Sequence, residues 1–315
     1  MAVPGSGNPL SMAGLAAEKL NDDYDDADFD DVISLKDLTL GGNAGGSHES
    51  WDVTNQNSND FPNVATPYSM GEFYSYDHDA SGFNDNISFD FDGANDYLEG
   101  AGNLAAAISV STGSISMWIK IDAHSSNGLI WAINTEEGST DQIFLLWNNA
   151  SGVVRANFKG GNVANIADSS SNLENDGSWH HFVVTWQASS KGAANTIKLY
   201  QDGSLQDSDA IGTVFSGSPA TFGFGRNKLQ NYGQNFNGHM NDMAIFNDVL
   251  TSSEVSSIYN SGAPKDEAGH SGLIAYYTLE GYSDGDTTVA DDADAGNNHS
   301  LTITNSTNID STDTP

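Results

Sequence analysis

From Asn86 onward the chain is written in short apolar runs divided by turns. Ile115-Ser-Met-Trp-Ile-Lys-Ile121 and Phe182-Val-Val-Thr-Trp186 have strand length and are rich in β-branched and aromatic residues. Turn pairs recur at Asp92-Gly93, Asn127-Gly128, Ser151-Gly152, Asp176-Gly177 and Asp202-Gly203. The last lies between Ile197-Lys-Leu-Tyr-Gln201 and the short run Ser204-Leu-Gln206. It predicts a two-residue hairpin, because positive φ at the glycine matches the twist of the strands. One helix interrupts the pattern near 252–260. Thr251 or Ser252 can cap Ser253-Glu-Val-Ser-Ser-Ile-Tyr259, and Gly262-Ala-Pro264 stops it. Leu273-Ile-Ala-Tyr-Tyr-Thr-Leu279 and Ser300-Leu-Thr-Ile-Thr304 then read as returning strands. Many short strands with such turns predict an all-β sandwich or jelly roll.

Residues 1–82 have a different texture. Gly, Asn, Ser and Asp dominate, and no long alternating run occurs. A short unit recurs as Pro9-Leu-Ser-Met-Ala-Gly-Leu15, Val32-Ile-Ser-Leu-Lys-Asp-Leu38 and Pro67-Tyr-Ser-Met-Gly-Glu-Phe73. The serine can cap a helical turn, with apolar residues on one side of it. Units this short bury no core of their own and need a partner surface. Asp22-Asp-Tyr-Asp-Asp-Ala-Asp-Phe-Asp-Asp31 fits no calcium-loop pattern and reads as a self-repelling linker.

Composition narrows the function classes. Forty-three acids against 10 Lys and Arg give a formal charge of −33. That field repels nucleic acid and anionic membranes, favours divalent cations and suits salty water, where repulsion is screened. There are no cysteines, so thiolate metal sites and disulfides are excluded. The first residues lack the basic and apolar regions of an export signal, and no apolar run reaches the ~20 residues of a membrane span.

Candidate chemistry is sparse. Glycosidases need two carboxylates facing one groove. Glu136-Glu137 sits beside a glycine, and neighbours on a strand would face opposite ways, so no catalytic residue is assigned and an enzyme is not expected. His180-His181 is a poor chelating pair for the same reason. Sugar binding calls for an exposed ring with amides beside it. Tyr232 with Asn231 and Asn235 in the loop 227–235, and Trp147 with Asn149, offer that combination. Trp118, Trp179 and Trp186 lie in apolar runs and are assigned to the core.

The ordered series Ser88-Phe-Asp-Phe-Asp-Gly-Ala-Asn-Asp-Tyr-Leu98, Ser114-Ile-Ser-Met-Trp-Ile-Lys-Ile121, Asp176-Gly-Ser-Trp-His-His-Phe-Val-Val-Thr-Trp186, Ile197-Lys-Leu-Tyr-Gln-Asp-Gly203, Phe236-Asn-Gly-His-Met-Asn-Asp-Met-Ala-Ile-Phe246 and Leu250-Thr-Ser-Ser-Glu-Val-Ser-Ser-Ile-Tyr259 resembles the laminin-G-like, concanavalin A-like jelly-roll family. The resemblance covers about residues 86–309. It implies a two-sheet antiparallel jelly roll in residues 83–315 and a recognition scaffold for surface glycans. It also implies a calcium site at the sheet rim, for which Asp92, Asn95, Asp96 and Asp242 are the expected ligands.

The leader is similar to the N-terminal segments of tailed-phage (marine, cyanophage-type) virion structural proteins. Ile33-Ser-Leu-Lys-Asp-Leu38 and Tyr68-Ser-Met-Gly-Glu-Phe-Tyr74 carry that similarity. It implies an irregular docking arm, residues 1–82, in which Leu15, Leu38, Phe73 and Tyr74 meet other virion proteins. The expectation is a homo-oligomeric virion protein, assembled in the host cytoplasm without a signal peptide. It would be a tail fibre, whisker or capsid decoration presenting a glycan-binding domain at the virion surface. The rivals are a glycan depolymerase on the same scaffold and an architectural clamp.

Overall fold

The chain divides into two units, Met1–Asn84 and Asp85–Pro315. The computed structural model describes residues 87–315 except 101, 123–126, 135–141, 150–151, 161–162, 170–172, 174–175, 189–195, 212–218, 227–234, 294–298, 306–308 and 311–312. Leu15, Leu38, Phe73, Tyr74, Asn231 and Tyr232 lie outside the described residues.

In chain order the elements are β1 (Ser88–Asp92), β2 (Tyr97–Gly100), α1 (Gly102–Ala107), β3 (Thr112–Ile121), β4 (Gly128–Asn134), β5 (Gln142–Asn148), β6 (Val154–Gly160), β7 (Val163–Asp168), β8 (His180–Gln187), β9 (Thr196–Gln201) and β10 (Ser204–Ala210). They continue as β11 (Thr221–Phe224), β12 (Asn237–Phe246), α2 (Ser252–Tyr259), β13 (Leu273–Tyr277), β14 (Thr288–Val289), β15 (Leu301–Thr304) and β16 (Ile309–Asp310). Sheet A runs β10-β9-β8-β3-β12-β1-β16, with β13 paired to β12. Sheet B runs β14-β15-β2-β11-β4-β5-β6-β7. The paired strands are antiparallel, and the expected jelly-roll sandwich is the fold observed.

Alternation explains the sandwich. Phe89 and Phe91, Met117 and Ile119, and Phe182 and Val184 point inward from sheet A. Leu98, Trp131, Leu146, Phe158, Phe222 and Phe224 meet them from sheet B. Rings interlock there: Phe91 meets Phe236 edge-on at 5.7 Å, and Phe222 meets Phe224 at 4.9 Å. Asp202 (φ 49°) and Gly203 (φ 73°) make the β9–β10 hairpin, as the Asp-Gly pair predicts.

Long β12 serves two partners. Asn237–Met240 pair with β1, and Met243–Phe246 pair with β13. Between these stretches the register against β3 slips by one residue, and Asp242 takes φ 52°. The slip is a β-bulge, and it lets β12 hand over from one neighbour to the other.

Helix α2 begins with a reciprocal capping box between Thr251 and Glu254. It ends at Asn260 in the left-handed conformation, ahead of the Gly262 stop read from the sequence. It buries Val255 and Ile258. A second short helix, α1, was not expected. It is under two turns long, its sequence Gly-Asn-Leu-Ala-Ala-Ala has no helical periodicity, and packing of Leu104 and Ala105 creates it.

Trp118 and Trp186 are buried as expected, but Trp179 is not a core residue. It precedes β8, is half-buried, and donates from Nε1 to Asp313 Oδ1 at 2.9 Å. The expectation failed because the apolar run it borders begins only at Phe182.

Candidate functional site

On sheet B the register aligns the outward positions of β5, β6 and β7. Trp147 pairs with Arg155, and Arg155 pairs with Asp168. Their neighbours Leu146, Ala156 and Ala167 face the core, so these three face out. Arg155 lies over the Trp147 ring, 5.5 Å from its centre. It also grips Asp168 with both arms of its guanidinium, at 2.6 and 2.7 Å. The Asp168 bond holds the guanidinium's affinity for its proton above the ordinary value, outweighing burial. A bidentate pair of this kind fixes orientation as well as charge.

One position before Leu98 on β2, counted against the inner Leu98–Phe224–Trp131–Leu146 row, Tyr97 stands in line with Trp147. Arg226 lies 3.5 Å above its ring. The chain contains only two arginines, Arg155 and Arg226. Both stack on aromatic rings of the same face. Three strand spacings separate β2 from β5, which puts the two rings about 14 Å apart. Among the described residues Trp147 Nε1, Asn157 Oδ1 and Arg226 Nε are buried there without a hydrogen-bond partner.

Asn149 and Asn235 lie close to this row in different roles. Asn149 organises the β5–β6 turn: its Oδ1 accepts from Val153 N–H at 3.2 Å. Asn235 bridges to Leu129, which pairs with Trp147, and its amide donates to the Ala94 carbonyl. The structure therefore gathers Trp147 and Asn235, while Asn149 serves the backbone.

The expected calcium ligands divide. Asp92, Asn95 and Asp96 share the β1–β2 turn. Asp92 Oδ1 accepts from Ala94 and Asn95 N–H at 2.7 and 3.1 Å. Asp96 is fully buried; its Oδ2 accepts from Asp92 N–H at 2.7 Å, and its Oδ1 from Asn305 Nδ2 at 2.6 Å. Burial pushes the Asp96 carboxyl up. Burial also works against Asp92, yet the turn N–H groups hold it below the usual range. Asp242 does not join them. Asp92 pairs with Asn237, and Asp242 is five residues further along β12, about 15 Å away. It is buried at the bulge and accepts from the Tyr276 hydroxyl. Among the described residues no group of three or more His, Asp or Glu is disposed to hold a metal ion.

His180 and His181 do point apart. His180 is clamped between Asp202 (2.7 Å) and Asp176 (3.0 Å), and the Asp202 bond leads in raising its pKa. His181 is buried against Trp118 and Tyr259, bonds Ser116 Oγ through Nε2 at 2.8 Å, and is driven down to about 3 by desolvation.

Residues 91–256, more than half of the chain, match the family model of the concanavalin A-like lectin/glucanases superfamily. The chain belongs to that superfamily. Among solved structures, a Bacteroides ovatus protein provisionally described as carbohydrate binding is 16% identical, covering 80% of this chain and 67% of its own, with a TM-score of 0.53. A heptameric SAP-like pentraxin from Limulus polyphemus is 16% identical over 58% of this chain and 87% of its own, with a TM-score of 0.45. The CBM40 of the Ruminococcus gnavus IT-sialidase, bound to α2,3-sialyllactose, is 17% identical over 48% of this chain and 84% of its own, with a TM-score of 0.40. No curated protein matches the chain. At these identities the structural likenesses speak to fold alone.

Proposed function

We propose that this superfamily member binds a saccharide on the outer face of sheet B and serves as the recognition part of a virion structural protein. The observation that carries the binding role is the Tyr97–Arg226 and Trp147–Arg155 row. It offers two aromatic rings held in place by stacked guanidinium groups along the length of a short oligosaccharide. The provisional description of the Bacteroides ovatus protein accords with this reading. The virion role is supported by the leader's units around Leu15, Leu38 and Phe73.

A hydrolase on this face is disfavoured. Among the described residues of its strands the outward acids are Glu99 on β2 and Asp168 on β7, five strand spacings or about 24 Å apart. Inverting and retaining pairs both sit under ~10 Å.

Trp147→Ala is expected to weaken glycan binding at least tenfold, a loss of ~1.4 kcal/mol, in calorimetric titration of array hits. Virions carrying that variant should keep the protein at normal copy number and lose adhesion. Absence of the chain from purified virions would remove the virion role. A fall in copy number with adhesion intact would favour the architectural clamp.

Calcium belongs to the proposal at the β1–β2 turn, with Asp92, Asn95 and Asp96 and without Asp242. The two neighbouring carboxylates offer oxygen donors of the kind calcium takes. Calcium at 100 times its Kd should raise stability by about 2.7 kcal/mol. Melting that is indifferent to both calcium and chelator rules the site out, as does an Asp96→Ala variant that responds like the parent.

A further inference from the structure

The outer face of sheet A carries a second cluster. Lys120 on β3 and His239 on β12 are register partners. Trp179 approaches from the segment before β8. All three converge on the carboxylate of Asp313. Oδ1 accepts from Trp179 Nε1 at 2.9 Å; Oδ2 is paired with Lys120 Nζ and lies 3.8 Å from His239 Nε2. Asp122 is 4.0 Å from the same His239 nitrogen. Burial opposes ionisation of Asp313, but Lys120 and Trp179 hold its carboxyl below the usual range.

Two short contacts bring Asp313 to this cluster among the described residues. Strand β16 pairs with β1 at Ser88–Asp310 and Phe89–Ile309, and Ser88 Oγ donates to the Asp313 carbonyl at 2.6 Å. The receiving groups belong to long central strands and are partly desolvated: Lys120 is 18% and His239 11% exposed, against 28% for Asp313. In a chain with 10 Lys and Arg against 43 acids, a lysine, a histidine and an indole N–H around one carboxylate are a rare concentration of donors. Each carboxylate oxygen meets its own donor, and the half-buried Trp179 ring lies 6.0 Å from the His239 ring. Donors and ring together have the chemistry that a carboxylate joined to a body with an apolar face would need.

We propose that Lys120, Trp179 and His239 form a binding site for the carboxylate of an acidic saccharide, and that Asp313 occupies it in cis as a displaceable stand-in. Ligand binding then requires Asp313 to leave, so the parent protein binds weakly and removal of the side chain unmasks the site. The site is separate from the Trp147 face, and each stands or falls without the other.

The test is calorimetric titration of the full chain with tetragalacturonate, with a neutral galactose tetramer and with succinate. Asp313→Ala should bind tetragalacturonate at least tenfold more tightly than the parent and gain nothing for the neutral sugar. Asp313→Asn, which keeps the contact's shape, should gain less. Adding Lys120→Ala to Asp313→Ala should abolish the gain, while adding Trp147→Ala should leave it intact. No gain in either Asp313 variant, with unchanged melting, overturns the site. A gain for succinate alone overturns the saccharide as its ligand, and an equal gain for the neutral tetramer overturns the carboxylate recognition.

Discussion

Gly238→Ala is expected to cost the domain at least ~3 kcal/mol, a large share of the ~5–15 kcal/mol that holds a typical fold. Gly238 sits in β12 between Phe91 of β1 and Ile121 of β3. Its φ is +140°, and a Cβ would come within 2.2 Å of the Lys120 carbonyl oxygen and 3.1 Å of the Asp122 amide nitrogen. Those obstacles are backbone atoms in paired strands, which cannot swing aside as a side chain does. The variant should melt about 10 °C below the parent by calorimetry. Alanine at Gly177 is the control: φ is positive there too, at +75°, but among the described residues no atom beyond its chain neighbours lies within 4 Å of a new Cβ. If the two variants melt together, the crowding at Gly238 does not matter.

The second large effect is acid lability at His181. Its folded pKa of about 3 lies below the ordinary 6.5, because burial against Trp118 and Tyr259 penalises the charged ring. The unfolded chain therefore takes up the proton first. Stability is unaffected above about pH 6.5 and falls by ~1.4 kcal/mol per unit as pH drops toward 3, or about 3 kcal/mol by pH 4.5. His180 works the other way. Its raised pKa adds stability below about 6.5 that is lost as pH rises through its folded value. Denaturant titrations from pH 7 to 4 should show the slope, and His181→Gln should flatten it even if that variant is less stable throughout. An unaltered slope in His181→Gln assigns the acid lability to other groups.

Much of the sandwich was legible because its determinants are local. Alternation in Ile115–Ile121 and Phe182–Trp186, the Asp202-Gly203 hairpin and the Thr251 cap are each decided within a few residues. The features that escaped are decided by distant chain. Helix α1 exists because Leu104 and Ala105 find a core beneath β2 and β11. The β12 bulge at Asp242 exists because one strand must serve β1 and β13, and no turn residue announces it. The resemblance groups Asp242 with Asp92 and Asp96 at the sheet rim, and the bulge instead buries it against Tyr276.

The sheet B row was half visible. Trp147 stood out as a ring among amides, but its partners depend on the register of β5, β6 and β7. A count outward from the Asn149 turn would have found Arg155 opposite it. A simpler sign was also present: a chain with two arginines has placed both beside aromatics. The Asp313 contact had no local sign at all, since it joins positions 193 residues apart in sequence.

The margins of the two sheets meet where β7 of sheet B runs beside β10 of sheet A. There Asp209 Oδ2 accepts from Ile166 N–H and Asp207 Oδ2 from Asp168 N–H, both at 3.1 Å. Side-chain carboxylates thus take the donors that another strand would need. A neighbouring chain arriving at this border finds the Ile166 and Asp168 donors already taken and a negative fringe. The β7–β10 border is therefore closed to strand addition at Ile166 and Asp168 by charge and by occupied donors, so a second copy meeting it there would not extend the sheet.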